Sequence, residues 1–90
     1  MQYFEWDENK RDFNLQKHGL DFVDAVKIFN DPCRIELESE RNNEIRYKTI
    51  GIIDFKLVIL LVYANRGKKK RIISARRASK KERAVYYGMG

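Results

Sequence analysis

The feature that most constrains this chain is an unbroken apolar run, Leu57-Val58-Ile59-Leu60-Leu61-Val62-Tyr63. Side chains alternate between the two faces of a strand, so a strand without a polar residue must be covered on both faces. Seven residues fall far short of the roughly 20 needed to span a bilayer. The run's β-branched residues and its shortness favour a strand over a helix. Ninety residues, 36% of them charged, supply one core and not two. The run is therefore expected at the centre of one sheet in one α+β domain spanning residues 1–90, with helices on one side and a rim on the other.

The flanking sequence supplies the other elements. Tyr3 to Trp6 alternates weakly and reads as a short edge strand. Asp7 is a helix cap for a segment over 8–18, which Gly19 ends in a left-handed turn with Leu20 behind it. Within that helix Phe13 and Leu15 are the apolar residues expected to cover a core edge. Asp21 caps a second helix whose stripe is Phe22, Ala25, Val26 and Phe29, and Asn30-Asp31-Pro32 stops it. The period then changes to two. Strands are expected over 34–38, 45–53, 57–63 and 70–75, with turns at 39–43, 54–56 and 65–68. Ser79-Lys80-Lys81-Glu82 is a capping box that opens a last helix at Lys80, carrying Ala84 and Val85 toward the sheet and ending near Tyr87. The expected order is β-α-α-β-β-β-β-α, mainly antiparallel, with two N-terminal helices and one C-terminal helix.

Charge is distributed unevenly. Residues 66–90 hold ten basic side chains against Glu82 alone, a net of +9, so the first 65 residues carry −3 of the overall +6. A concentrated positive face points to a polyanionic partner, of which nucleic acid is the commonest inside cells; a merely solvated face is the bland alternative. Cys33 is the only cysteine, which leaves no internal disulfide and no cysteine cluster for zinc. The opening residues lack a basic segment before an apolar one, and a soluble cytoplasmic protein without membrane contact is expected.

The residues Phe4-Glu5-Trp6-Asp7, Asn14, Lys17-His18-Gly19, Phe22-Val23-Asp24-Ala25 and Phe29-Asn30-Asp31-Pro32 occur in a definite order. They are followed by Tyr63-Ala64-Asn65-Arg66-Gly67, Arg71 to Ala78, and Glu82-Arg83. In this order and spacing the chain resembles the BrnT-type toxins of bacterial type II toxin–antitoxin pairs over nearly its whole length. The resemblance implies a RelE-like fold and a ribonuclease that halts translation, on free RNA or on the ribosome. It also implies a companion BrnA-like ribbon-helix-helix antitoxin that blocks the toxin and alone mediates contact with operator DNA.

Cleaving RNA without a metal requires a group to deprotonate the 2′-hydroxyl, positive charge on the phosphate, and a proton for the leaving 5′-oxygen. The chain has no compact Asp/Glu cluster, no second histidine and no glycine-rich phosphate loop, so neither metal nor cofactor is expected and electrostatics must carry most of the rate. Arg76 and Arg77 stand at the exit of the last strand, on opposite faces, so one is expected to reach the phosphate. Arg66, read as a turn residue, is the next ligand. His18, beside Lys17, is a candidate acid or base, or equally a cation favoured by a helix C-terminus. Tyr86 or Tyr87 is a candidate proton donor or stacking platform, with one of the pair expected in the core. Lys68, Lys69, Lys70, Arg71, Lys80 and Lys81 form a diffuse guide for the RNA backbone. Phe4 and Trp6 read as core anchors, and Glu82 as a cap. The competing reading is a non-catalytic module whose basic face only holds nucleic acid or an acidic partner.

Overall fold

The computed structural model describes residues 3–88; Met1, Gln2, Met89 and Gly90, the ends of the expected domain, lie outside them. The elements are β1 (Tyr3–Glu5), α1 (Glu8–His18), α2 (Phe22–Ala25), a 3-10 helix (Val26–Asn30), β2 (Ile35–Arg41), β3 (Glu44–Ile53), β4 (Leu57–Arg66), β5 (Lys69–Arg77) and α3 (Lys80–Tyr86). The sheet order is β1-β5-β4-β3-β2, which puts the apolar run on the middle strand of five. Strands β2 to β5 form the expected antiparallel meander, and β1 closes the far edge parallel to β5.

Both faces of β4 are covered, for different reasons along its length. Ile59, Leu61 and Tyr63 meet Leu20, Phe22, Ala25 and Ile28 in the main core. Val58 and Leu60 face the other way, against Ile50, Ala78 and partly buried Ile52 and Tyr86. The helix α3 is only seven residues long, so it shields one end of that second face. The other end of the face, around Arg46, Lys48 and Ser74, stays open.

Hairpin geometry narrows the expected turns. Asn42 and Asn43 have φ of 53° and 63°, the pair of left-handed residues that a two-residue type I′ turn requires. Strands β2 and β3 therefore run on to pair Arg41 with Glu44, leaving no five-residue loop at 39–43. The β4–β5 turn is equally short, since Arg66 pairs with Lys69, and Gly67 supplies its left-handed residue, with φ of 62°. Arg66 is accordingly the last residue of a strand and not a loop residue reaching over the sheet.

The second helix tightens after one turn. Phe22, Ala25 and Ile28, three apart, are fully buried, and a three-residue repeat is the period of a 3-10 helix. Expected stripe residues Val26 and Phe29 are only partly buried. Ile28 presses on β3 at Gly51, where an added Cβ would lie 2.7 Å from Ile28 Cγ1, so this mid-strand glycine is set by close packing.

The expected role of α1 is corrected. Phe13 and Leu15 are exposed, and Asn14 is the buried residue of this helix. Asp7, Asp21 and the Ser79–Glu82 capping box act as read. In α3, Val85 is exposed and Tyr86 packs instead, because the helix meets the sheet through Ala78 and Tyr86.

Candidate nucleic-acid interface

A β-bulge decides which side chains of β5 reach the open face. Val62 pairs with Ser74 and Tyr63 with Ile72, which leaves Ile73 without a partner. The extra residue reverses the alternation, so Ile72 and Ala75 both enter the main core although they are three apart. Ser74 and Arg76 consequently point to the face that α3 half covers. On the same face, β3 contributes Arg46 and Lys48 by simple alternation. A hollow of about 440 Å³ lies across these strands, and its charged lining is Arg41, Arg46 and Lys48 against one carboxylate, Glu40, with Val62 and Ser74 on its wall.

Two arginines are held there by one carboxylate. Glu44 Oε1 accepts from Arg46 Nε at 3.2 Å, and Glu44 Oε2 accepts from Arg66 Nη2 at 2.7 Å. These are partly exposed pairs, 52% for the Arg66 side chain and 28% for Arg46, and such pairs hold geometry while adding little stability, about 0–1 kcal/mol. Each guanidinium has five N–H groups, so most of each fork remains free to meet a phosphate. Lys48 is exposed beside them and adds a compact charge.

The arginines expected to converge do not. Lys69, opposite Arg66, and Arg76 are seven residues apart on β5, about 23 Å at 3.3 Å per residue. Arg66 and the Arg76-Arg77 pair thus occupy opposite ends of one hairpin and cannot share a phosphate. Arg76 donates from both terminal nitrogens to Glu82, at 2.8 and 2.9 Å. That fork holds the Glu82 carboxyl below its ordinary range. Arg77, on the other face, is exposed. Tyr86 Oη donates to Asp31 Oδ2 at 2.6 Å, and burial together with that carboxylate pushes the phenol up. Arg76 and Tyr86 therefore both serve to hold α3 on the sheet.

His18 and Lys17 lie on the other side of β5. They line an apolar groove between α1 and the β5 edge, about 520 Å³, together with Phe13, Ile73 and Ser74. Ile73 and Ser74 also wall the basic hollow, so the two cavities meet across one strand.

A family model described as "Ribonuclease toxin, BrnT, of type II toxin-antitoxin system" matches residues 6–82. The chain belongs to this BrnT toxin family. The crystal structure of the Brucella abortus ribonuclease toxin BrnT, at 1.1 Å resolution, is similar to it with a TM-score of 0.67. The two chains are 28% identical, and the match covers 89% of this chain and 100% of the other. No curated protein matches it. The α+β fold and the family that the sequence resembles are thus those of a BrnT toxin.

The expected RNA guide of this BrnT chain divides in two. Lys68, Lys69, Lys80 and Lys81 are exposed. Lys70 instead lies over the rings of Tyr63 and Phe29, at 4.7 and 5.5 Å, and Arg71 donates to Glu5 at 2.7 Å. Both are partly buried and tie β5 to its neighbours. Net charge summed along the chain does not single out Arg41, Arg46 and Lys48, which line the open face of the sheet. The signal was available in the alternation Arg46-x-Lys48 within a strand, which puts two cations on one face although Glu44 lies two residues before them. Trp6 and Phe4 pack as core anchors, against Phe22 and Phe29 respectively.

Proposed function

We propose that this BrnT toxin is a metal-independent endoribonuclease that arrests translation by cutting RNA laid across the open half of its sheet. The observation that carries the reading is the pair Arg46 and Arg66 held by Glu44 on the open face of the sheet, with Lys48 two residues beyond Arg46 in the lining of the hollow. Arg46 and Arg66 take the scissile phosphate, and Lys48 neutralises the charge that builds on its oxygens. The 2′-oxygen attacks phosphorus as it loses its proton, the P–O5′ bond breaks, and the products are a 2′,3′-cyclic phosphate and a 5′-hydroxyl. His18, with Lys17 next to it, is the proton-transfer group, reaching the substrate from across the β5 edge at Ser74. Lys68 and Lys69 at the hairpin, Lys80 and Lys81 on α3, and Arg77 guide the flanking backbone and set the salt dependence. Activity is opposed by a cognate antitoxin of the BrnA type, which couples the pair to operator DNA and autoregulation. The site of action is the cytoplasm.

The test is cleavage of RNA, with and without ribosomes, by the purified toxin. Arg46→Ala and Lys48→Ala are each expected to lower the rate about 100-fold, the usual effect of removing one transition-state donor. Their melting temperatures should not move. His18→Asn should flatten the pH–rate profile. Wild-type protein that binds RNA with a steep salt slope but forms no cyclic phosphate ends would establish the non-catalytic module instead.

A further inference from the structure

We infer that the groove between α1 and the outer edge of β5 is where the antitoxin docks, taking a short extended segment with an apolar residue flanked by acidic ones. The inference rests on the toxin–antitoxin reading and adds to it a place and a chemistry.

Phe13 is 67% exposed although it stands on the helix face turned toward β5. Together with Ile73 it gives the groove an apolar floor, and Asn9, Phe13 and Lys17 recur every four residues along its helical wall. Its charged lining is of one sign, Lys10 and Lys17, and includes no carboxylate. An acidic-flanked segment matches that rim, and an apolar side chain matches the floor.

The strand side of the groove is also unfinished. Strand β1 pairs with β5 only from Lys69 to Arg71. Asn14 occupies the backbone of Ala75 further on. Between them Ile72, Ile73 and Ser74 have no strand neighbour on that side, among the described residues. An exposed strand edge accepts an extended chain. Nucleic acid fits less well, because the Lys17 ammonium stands over the Phe13 ring at 5.8 Å, on a face that a base would need for stacking.

Occupancy explains neutralisation without contact to the arginine cluster. A segment lying here covers His18 and Lys17 and reaches Ser74, the wall shared with the basic hollow.

The test uses the whole toxin, the antitoxin translated from the reading frame beside its gene, and a fluorescent RNA oligonucleotide. Phe13→Ser and Lys10→Gln are each expected to weaken antitoxin binding at least 10-fold, with RNA cleavage by the free toxin and its melting temperature unchanged. Undiminished antitoxin binding by both variants would overturn the inference, and so would loss of RNA binding in its place, which would mark the groove as a nucleic-acid surface. Failure of the nuclease reading is a separate outcome, absence of cleavage by wild-type toxin.

Discussion

Asn14 on α1 acts as a surrogate strand for Ala75 on β5: its Nδ2 donates to the Ala75 carbonyl at 2.7 Å, and its Oδ1 accepts from the Ala75 amide at 3.1 Å. The same Nδ2 also donates to the Leu20 carbonyl at 3.0 Å. One side chain thus satisfies the β5 edge beyond the end of β1 and the chain leaving α1. Asn14→Leu keeps the volume and strands three buried backbone groups. It should cost about 3 kcal/mol, since each unsatisfied buried group costs about 1–3 kcal/mol. The melting temperature should then fall by roughly 15 °C for a domain of this size. The adjacent Phe13→Ser, at an exposed site, should stay within about 0.5 kcal/mol. Equal stability of the two variants in urea unfolding would show that the Ala75 contact is incidental.

That residue also shows how far the sequence could be read. The helix itself was legible from Asp7 and Gly19, whose capping chemistry is local. Its orientation was not, because an apolar stripe was assumed to mark the buried side and here the buried side chain is an amide matched to a distant strand. The meander followed from short connections between strands, and the two-sided burial of β4 from an apolar run that does not alternate. The bulge at Ile73 did not, and it decides that Ser74 and Arg76 share a face with Arg46 and Lys48. Charge along the chain pointed to the carboxyl end, whereas the open sheet face draws on β2 and β3 as well. Pairing across strands, which no local pattern encodes, separates Arg66 from Arg76 and brings it to Arg46.

The Arg76–Glu82 fork makes a prediction that separates holding α3 from touching RNA. If the arginine works by positioning α3, Arg76→Lys and Glu82→Gln should each destabilise the protein by about 1 kcal/mol, a surface-discounted value for a bidentate pair. The double variant should cost less than the sum of the two. Cleavage per folded molecule should be kept in Glu82→Gln. A Glu82→Gln variant as stable as wild type, combined with an inactive Arg76→Lys, would return Arg76 to the phosphate.

Acid should weaken the same junction. In the folded state Asp31 is pushed up by burial but pulled down further by hydrogen bonds from Tyr86, the Ile52 amide and the Cys33 amide, and its carboxyl titrates below the ordinary 3.8. Glu82, held by Arg76, titrates below the ordinary 4.5. Groups with depressed folded values bind fewer protons folded than unfolded, so their contribution is complete above those ordinary values. It is lost as pH falls through the folded ones. Stability measured in urea should therefore drop steeply below about pH 4, and Tyr86→Phe should shallow that slope by removing one of the hydrogen bonds that depress Asp31. A slope identical to wild type would exclude Asp31 as a contributor.

The β3–β4 turn stores strain that can be removed. Phe55 has φ of 60° and is 98% exposed. A bulky residue in the left-handed region gives up about 1 kcal/mol relative to its favoured conformations, and a ring in solvent recovers none of it by packing. Asparagine is tolerated in that region better than bulky residues are, and Asn42 and Asn43 occupy it in the β2–β3 turn, with φ of 53° and 63°. Phe55→Asn should therefore raise stability by about 1 kcal/mol and the melting temperature by about 5 °C. Because the turn is remote from the arginine cluster on β3 and β4, cleavage should be unchanged. A variant less stable than wild type would mean that the ring makes contacts which offset its backbone strain.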